Sequence, residues 1–286
     1  MSTPNPPLRG ALCLDLDGTL LNSSHSVSEA NSAAVARVSR AGYAICLCTG
    51  RSLNCRLPSA HELGIAELYL VGCNGAVVCR LAEDGSVAET IFETQLSHAN
   101  IDRIALALGA GRAQKADVGS RQYYRVEAAD EVQSALVAAH NAIEQTTPTD
   151  LGSDYVAALK RLDRAPNKMT VFDPDAQKLR EEAAALGALE NIEVVMGGPN
   201  WADTVDTAHD KAAGIRLLCE QLGISIASCV AFGDGANDAS MLATCGLGIA
   251  MAQGRDEAKE VADRVSAWTN DEDAVAREID LLLASD

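Results

Sequence analysis

No segment of the sequence approaches the roughly 20 continuous apolar residues that a membrane-spanning helix needs, so such a helix is excluded. The opening residues, Met-Ser-Thr-Pro-Asn-Pro-Pro-Leu-Arg, lack the apolar stretch of a secretory signal, and a cytoplasmic location is expected. No Cys-x-x-Cys pair occurs, which removes support for structural zinc. The five histidines, His25, His61, His98, His140 and His209, form no His-x-x-x-His or His-Glu-x-x-His spacing, so a histidine metal site is not expected. Internal repeats and low-complexity stretches are absent. Positive charge is scarce: 23 Lys and Arg face 40 Asp and Glu, a net charge of -17. Such a surface repels nucleic acid, and no nucleic-acid or membrane partner is expected. The deficit is uneven, at +1 over residues 1–82, -7 over 83–190 and -11 over 191–286. An anionic substrate would therefore need a metal ion or a few placed cations.

What is present is an ordinary globular composition, 48% hydrophobic and 22% charged, over 286 residues, enough for one large domain or two moderate ones. Of the nine cysteines, Cys13, Cys46, Cys48, Cys73 and Cys229 sit in apolar runs and read as reduced, core-filling thiols. Residues 11–14 form a short apolar run ending at Asp15, the mark of a central parallel strand. A helix is predicted over 28–41, a strand over 43–48, a helix over 52–63 and a strand over 68–72. This alternation indicates a doubly wound α/β sheet. Past residue 82 the pattern changes to a hairpin at 77–92 around Glu83-Asp84-Gly85-Ser86, then mixed helices and strands. The α/β rhythm returns near residue 210, with a helix over 211–222, a strand over 228–232, a helix over 237–243, a strand over 247–251 and a final amphipathic helix over 271–284. The expected organisation is a core of residues 1–82 plus 200–286, interrupted by an inserted α+β domain of residues 83–199.

The chemistry-bearing residues gather at predicted strand ends, where ligands bind in open α/β sheets. Asp15-Leu16-Asp17-Gly18-Thr19 places two carboxylates at the end of the first strand. They can hold a hard cation or attack phosphorus; a solvated strand-end turn is the plain alternative. Thr49-Gly50-Arg51 ends the second strand. Its hydroxyl and N–H groups can cradle a phosphate, although the triplet also fits a helix N-cap. Gly233-Asp234-Gly235-Ala236-Asn237-Asp238 adds two more carboxylates beside a helix N-terminus, a place for a metal and an anion or else an acidic capping turn. Lys211 opens a helix, where a lone lysine is usually solvated. Arg51 can neutralise substrate charge or form a surface ion pair, and His209 lies two residues from Lys211.

In this order the four elements resemble the four motifs of the haloacid dehalogenase (HAD) superfamily. Asn74-Gly75-Ala76 and Met241-Leu242 further resemble its Cof-type branch, subclass IIB, which inserts a cap between the second and third motifs. The usual late Gly-x-Ala-Met-Gly-Asn-Ala segment appears as Gly248-Ile249-Ala250-Met251-Ala252-Gln253-Gly254, with Ala252 and Gln253 in place of Gly and Asn. The resemblance implies a Rossmann-like HAD core with an inserted α+β cap of C2 type, and a phosphatase that uses Mg²⁺. Asp15 would be the nucleophile and Asp17 the acid/base. Mg²⁺ would bind Asp15, the Asp17 backbone carbonyl and Asp234, with Asp238 as a further ligand or the holder of a bound water. Thr49, Gly50, Lys211 and Asn237 would contact the phosphate. The substrate would be a small phosphorylated metabolite, a sugar phosphate or a cofactor phosphate. The rivals are a phosphosugar mutase on the same core and a non-catalytic binding or regulatory protein on this scaffold. Oligomeric state is not legible.

Overall fold

The computed structural model describes residues 8–53, 55, 57–108, 113–119, 121–125, 130–207 and 209–284. By its internal contacts the chain forms two units. The first comprises Met1–Thr49, Leu57–Phe92 and Asp210–Asp286, the second Gly50–Arg56 and Glu93–His209. In chain order the first unit begins with β1 (Gly10–Leu14), α1 (Glu29–Arg40), β2 (Tyr43–Cys48), β3 (Leu68–Gly72), β4 (Val77–Leu81) and β5 (Val87–Glu93). The second contains α2 (His98–Leu108), β6 (Gln114–Val118), β7 (Arg121–Arg125), α3 (Glu131–Glu144), β8 (Thr149–Asp150), α4 (Tyr155–Lys160), β9 (Lys168–Phe172), α5 (Ala176–Gly187), β10 (Glu193–Met196) and β11 (Trp201–Val205). The first unit resumes with α6 (Lys211–Leu222), β12 (Val230–Gly233), α7 (Ala239–Thr244), β13 (Leu247–Ala250), α8 (Asp256–Lys259), β14 (Arg264–Val265) and α9 (Ala274–Leu283).

The first unit is built on an eight-stranded sheet in the order β14-β13-β12-β1-β2-β3-β4-β5. Its centre is parallel, with β1 flanked by β12 and β2 in registers that pair Leu14 with both Phe232 and Leu47. Every residue of β1 is buried, as its two-faced apolar run requires. All nine cysteines are free and buried. Cys13, Cys46, Cys48, Cys219, Cys229 and Cys245 share one hydrophobic cluster with Met241, Leu242 and Ile215.

The second unit carries a six-stranded sheet, β10-β11-β9-β6-β7-β8. One of its faces is apolar: Ala116, Met169, Val171 and Ala202 pack with Ile101, Ile104, Leu159, Leu179 and Leu186 of its helices. On the other face β6, β9 and β11 bring together Lys115, Asp117, Lys168, Thr170 and Asp203, in a register that sets Lys115 opposite Thr170 and Asp117 opposite Lys168. These side chains are buried. Lys168 meets Asp203 at 3.1 Å and Asp117 at 3.6 Å, and Lys115 pairs with Glu144 of α3. Tyr123 packs with the apolar cluster, while Tyr124 packs with Ala113, Val137 and Phe172, so β7 is the half-buried strand its alternation suggests.

Three expectations are revised. The hairpin strand β5 completes the core sheet and β11 belongs to the other sheet. The unit edges at 92/93 and 209/210 therefore lie ten residues beyond the expected 82/83 and 199/200. Among the described residues of 52–63 there are turns and no helix. Pro58 lacks the N–H that a helix interior needs there. Gly50–Arg56 groups with the second unit, although it directly follows β2.

Candidate active site

The carboxylates are positioned by the strands that carry them. β1 and β12 are adjacent and parallel, so both deliver their next residue, Asp15 and Asp234, at the same sheet edge. The Asp15 N–H donates to the Phe232 carbonyl at 3.0 Å and continues that pairing. The chain then turns sharply. Leu20 N–H returns to the Asp15 carbonyl at 3.2 Å and Thr19 N–H to that of Leu16 at 3.2 Å. Gly18 has φ +85°, and a Cβ there would lie 2.5 Å from Asp234 Oδ2, so the tight turn against Asp234 requires glycine. The Thr19 hydroxyl donates to Asp234 Oδ1 at 3.1 Å.

Asp238 sits within the turn that precedes α7. Its Oδ2 accepts the N–H groups of Asp234 at 2.9 Å and Gly235 at 2.8 Å, which fixes the loop after β12. Its Oδ1 accepts from Lys211 Nζ at 2.5 Å, and the same ammonium donates to Asp15 Oδ1 at 2.7 Å. Lys211 reaches this position because α6 starts tightly against the turn after β3. Asp210 caps α6 by accepting from Ala213 N–H. A Cβ on Gly75, whose φ is +106°, would lie 2.1 Å from the Asp210 carbonyl oxygen. The neighbouring Asn74, itself left-handed at φ 55°, accepts from Asn237 Nδ2 at 3.0 Å. Thr49 is buried, with its N–H on Val71 O at 2.9 Å and its carbonyl accepting from Asn74 N–H at 3.1 Å.

Oxygen atoms of Asp15, Asp234 and Asp238 all lie within 4.8 Å of one another. Three carboxylates thus crowd one ammonium. Burial and then the neighbouring Asp238 push Asp15 above the ordinary carboxylate range, with Lys211 opposing them. Burial and Asp238 likewise raise Asp234 to about 6. Burial alone would lower Lys211, but Asp15 and Asp238 overrule it and hold the ammonium above its ordinary value. The group is short of positive charge. A hard divalent cation, which takes oxygen donors at short distance, fits the donor set and supplies what is missing.

Of the residues expected from the sequence, Asp15, Lys211, Asp234 and Asp238 come together directly. Asn237 and Thr49 are linked to each other through Asn74. The Asp17 side chain is 44% exposed and 3.6 Å from His25 Nδ1, and its charge adds to those that raise Asp234. Gly50 and His209 group with the second unit. Arg51 is buried, so the surface ion pair considered for it does not hold. The sequence reading overlooked the Thr19 contact to Asp234, the His25 contact to Asp17 and the Asn74–Asn237 link. The only signal was the nearness of Thr19, His25 and Asn74 to the strand ends. The partners of Thr19 and Asn74 lie 215 and 163 positions away, whereas His25 meets Asp17 within the same loop.

A family profile described as haloacid dehalogenase-like hydrolase matches residues 12–279. The phosphatase YwpJ of Bacillus subtilis (strain 168) is 27% identical, covering 95% of this chain and 99% of its own. The 5-amino-6-(5-phospho-D-ribitylamino)uracil phosphatase YitU of the same strain is 25% identical, covering 93% of this chain and 94% of its own. Among solved structures, a HAD subclass IIB sugar phosphatase shares the fold with a TM-score of 0.79 at 21% identity, covering 96% of this chain and 98% of that one. The chain belongs to the haloacid dehalogenase-like hydrolase family.

Proposed function

We propose that the chain is a magnesium-dependent phosphatase that hydrolyses a small phosphorylated metabolite, a sugar phosphate or a cofactor phosphate, through an aspartyl-phosphate on Asp15. The observation that carries this reading is the buried set of Asp15, Asp234 and Asp238 around the single ammonium of Lys211. Mg²⁺ held by Asp15, Asp234 and the Asp17 backbone carbonyl would supply positive charge to the phosphoryl oxygens. Both oxygens of Asp238 already accept hydrogen bonds, which favours its role as the holder of a bound water.

A carboxylate oxygen of Asp15 attacks phosphorus, and the ester oxygen leaves. Asp17, whose side chain is 44% exposed, gives that oxygen its proton. It then takes a proton from the water that attacks the acyl phosphate, releasing inorganic phosphate and restoring Asp15. Lys211, Thr49 and Asn237 stabilise the transferring oxygens, and Gly50 offers its N–H; such charge compensation is most of what phosphoryl transfer asks of a protein. These groups handle what every substrate shares. Discrimination between leaving groups must come from other contacts, which we assign to the second unit as a cap.

The test is release of inorganic phosphate from a panel of phosphorylated metabolites, including the phosphoribitylaminouracil named for YitU. Phosphate should appear in step with substrate loss, should stop after exhaustive chelation and should resume with Mg²⁺. Interconversion without free phosphate would instead mark a phosphosugar mutase, and full activity after chelation would defeat the metal assignment.

A further inference from the structure

The turn after β3 runs through three consecutive left-handed residues, Cys73 at φ 50°, Asn74 at φ 55° and Gly75 at φ 106°. Glycine adopts that region freely and asparagine readily, but cysteine does not. Such strain persists only where the surrounding structure enforces it, and it gathers at functional sites. Here Asn74 is held from two sides. Its N–H donates to the Thr49 carbonyl at 3.1 Å. Its Oδ1 accepts from Asn237 Nδ2 at 3.0 Å. One residue thus ties the residue that follows β2 to the turn that precedes α7.

The other end of the Asn74 amide is different. The residue is 3% exposed, yet its Nδ2 meets no acceptor among the described residues. A buried donor left unsatisfied costs the desolvation of that group, and native proteins keep few of them. An oxygen arriving from outside the chain would remove the cost. The donor shares its amide with the oxygen that holds Asn237, and its backbone holds Thr49. Asn237 and Thr49 are two of the groups proposed above to meet phosphoryl oxygens. Exchanging the ends of both amides would keep the 3.0 Å contact but leave an acceptor in that place, which an anion would repel.

We infer that Asn74 binds the phosphoryl group directly: its Nδ2 donates to a phosphoryl oxygen, while its Oδ1 aims the Asn237 amide at the same group. The inference rests on the phosphatase reading above. It deepens that reading by adding to Lys211, Thr49 and Asn237 a further donor, carried by the strained turn after β3.

The probe is orthovanadate, which takes up the five-coordinate geometry of a phosphoryl group in transfer, used as an inhibitor of p-nitrophenyl phosphate hydrolysis in excess Mg²⁺. Asn74→Gly keeps the left-handed backbone and removes the amide. It should raise the inhibition constant about tenfold, the scale of a lost hydrogen bond to a charged group. The Asn237→Ala background separates direct contact from action through Asn237. There Asn74→Gly should still raise the constant at least about threefold, and a change below about twofold would overturn direct binding. Asn74→Asp keeps the turn and the acceptor for Asn237 but replaces the donor with a charged oxygen. It should raise the constant more than Asn74→Gly does, and it also serves if Asn74→Gly folds poorly. Inhibition equal to wild type in either variant would overturn the inference and leave a bound water as the partner of Nδ2. Thr49→Val is run alongside. If Thr49→Val weakens orthovanadate and the Asn74 variants do not, only the role of Asn74 fails. If none of them weakens it, the phosphoryl-site reading fails as well.

Discussion

Asp15 is held at both ends of its side-chain environment, by a strand that continues into its N–H and by an ammonium 2.7 Å from its Oδ1. Asp15→Asn preserves this shape but removes the oxygen proposed as the nucleophile and one carboxylate of the proposed cation-binding set. Turnover should fall by at least about 10³-fold, on the order of 4 kcal/mol of barrier. Steady-state phosphate release by the purified variant checks this, and near-wild-type turnover would end the nucleophile assignment. Motif residues such as Asp15 were legible because the run of apolar residues before them marks a strand end. The charge relations were not. That Asp234 lies beside Asp15 rather than 219 residues away follows only from β12 pairing with β1.

At the scale of elements, the approach of α6 to the turn after β3 decides where Lys211 points. Gly75→Ala would place a methyl group 2.1 Å from the Asp210 carbonyl at a backbone φ of +106°, so the start of α6 must retreat. A loss of about 1–3 kcal/mol in stability is expected from the backbone strain, together with a fall in kcat as the ammonium withdraws. Urea denaturation and steady-state kinetics read the two effects separately; unchanged kcat would show that Lys211 tolerates the shift. Helices with capping signals were legible in sequence. The predicted range 211–222 coincides with α6, which begins after Asp210 as its N-cap. The helix predicted over 52–63 ignored Pro58. The strand β11 went unread because its Asp203 and Thr204 are polar yet buried, satisfied by partners on β9.

At the scale of the molecule, the buried charges of the second unit make its stability depend on pH. Burial would raise Glu144, but Lys168, His140 and Lys115 overrule it and hold the carboxyl down to about 2, below its ordinary 4.5. Burial lowers His140 from 6.5 to about 3 and keeps it neutral against the pull of Glu144. Both groups are lower when folded, so the unfolded chain binds more protons at these two sites in between, and their contribution to stability falls as pH falls, while the raised Asp15, Asp203 and Asp234 contribute with the opposite sign. The His140 contribution should drain away from about pH 6.5 to 3, and that of Glu144 from about 4.5 to 2. Denaturation midpoints of the wild type and of Glu144→Gln across this range check it, and a gap between the two that does not narrow as pH falls toward about 2 would contradict it. Glu144→Gln leaves the fully buried Lys115 without its carboxylate. A loss of about 3–5 kcal/mol is expected at neutral pH, because a buried charge stripped of its partner is strongly disfavoured.

The sequence alone determined the class of fold, the family and the motif residues, because those depend on local patterns: apolar runs, caps, and carboxylates at strand ends. It also determined that the substrate's charge needs compensation from few cations. Only the tertiary structure decided which residues complete the site and where the units divide. Gln253 reaches Gly18 across 235 positions, and Asn237 meets Asn74 across 163. β5 completes the first sheet, and β11 joins the second. Hydrogen-bond partners and sheet edges are set by packing between distant segments, and no periodicity along the chain records them.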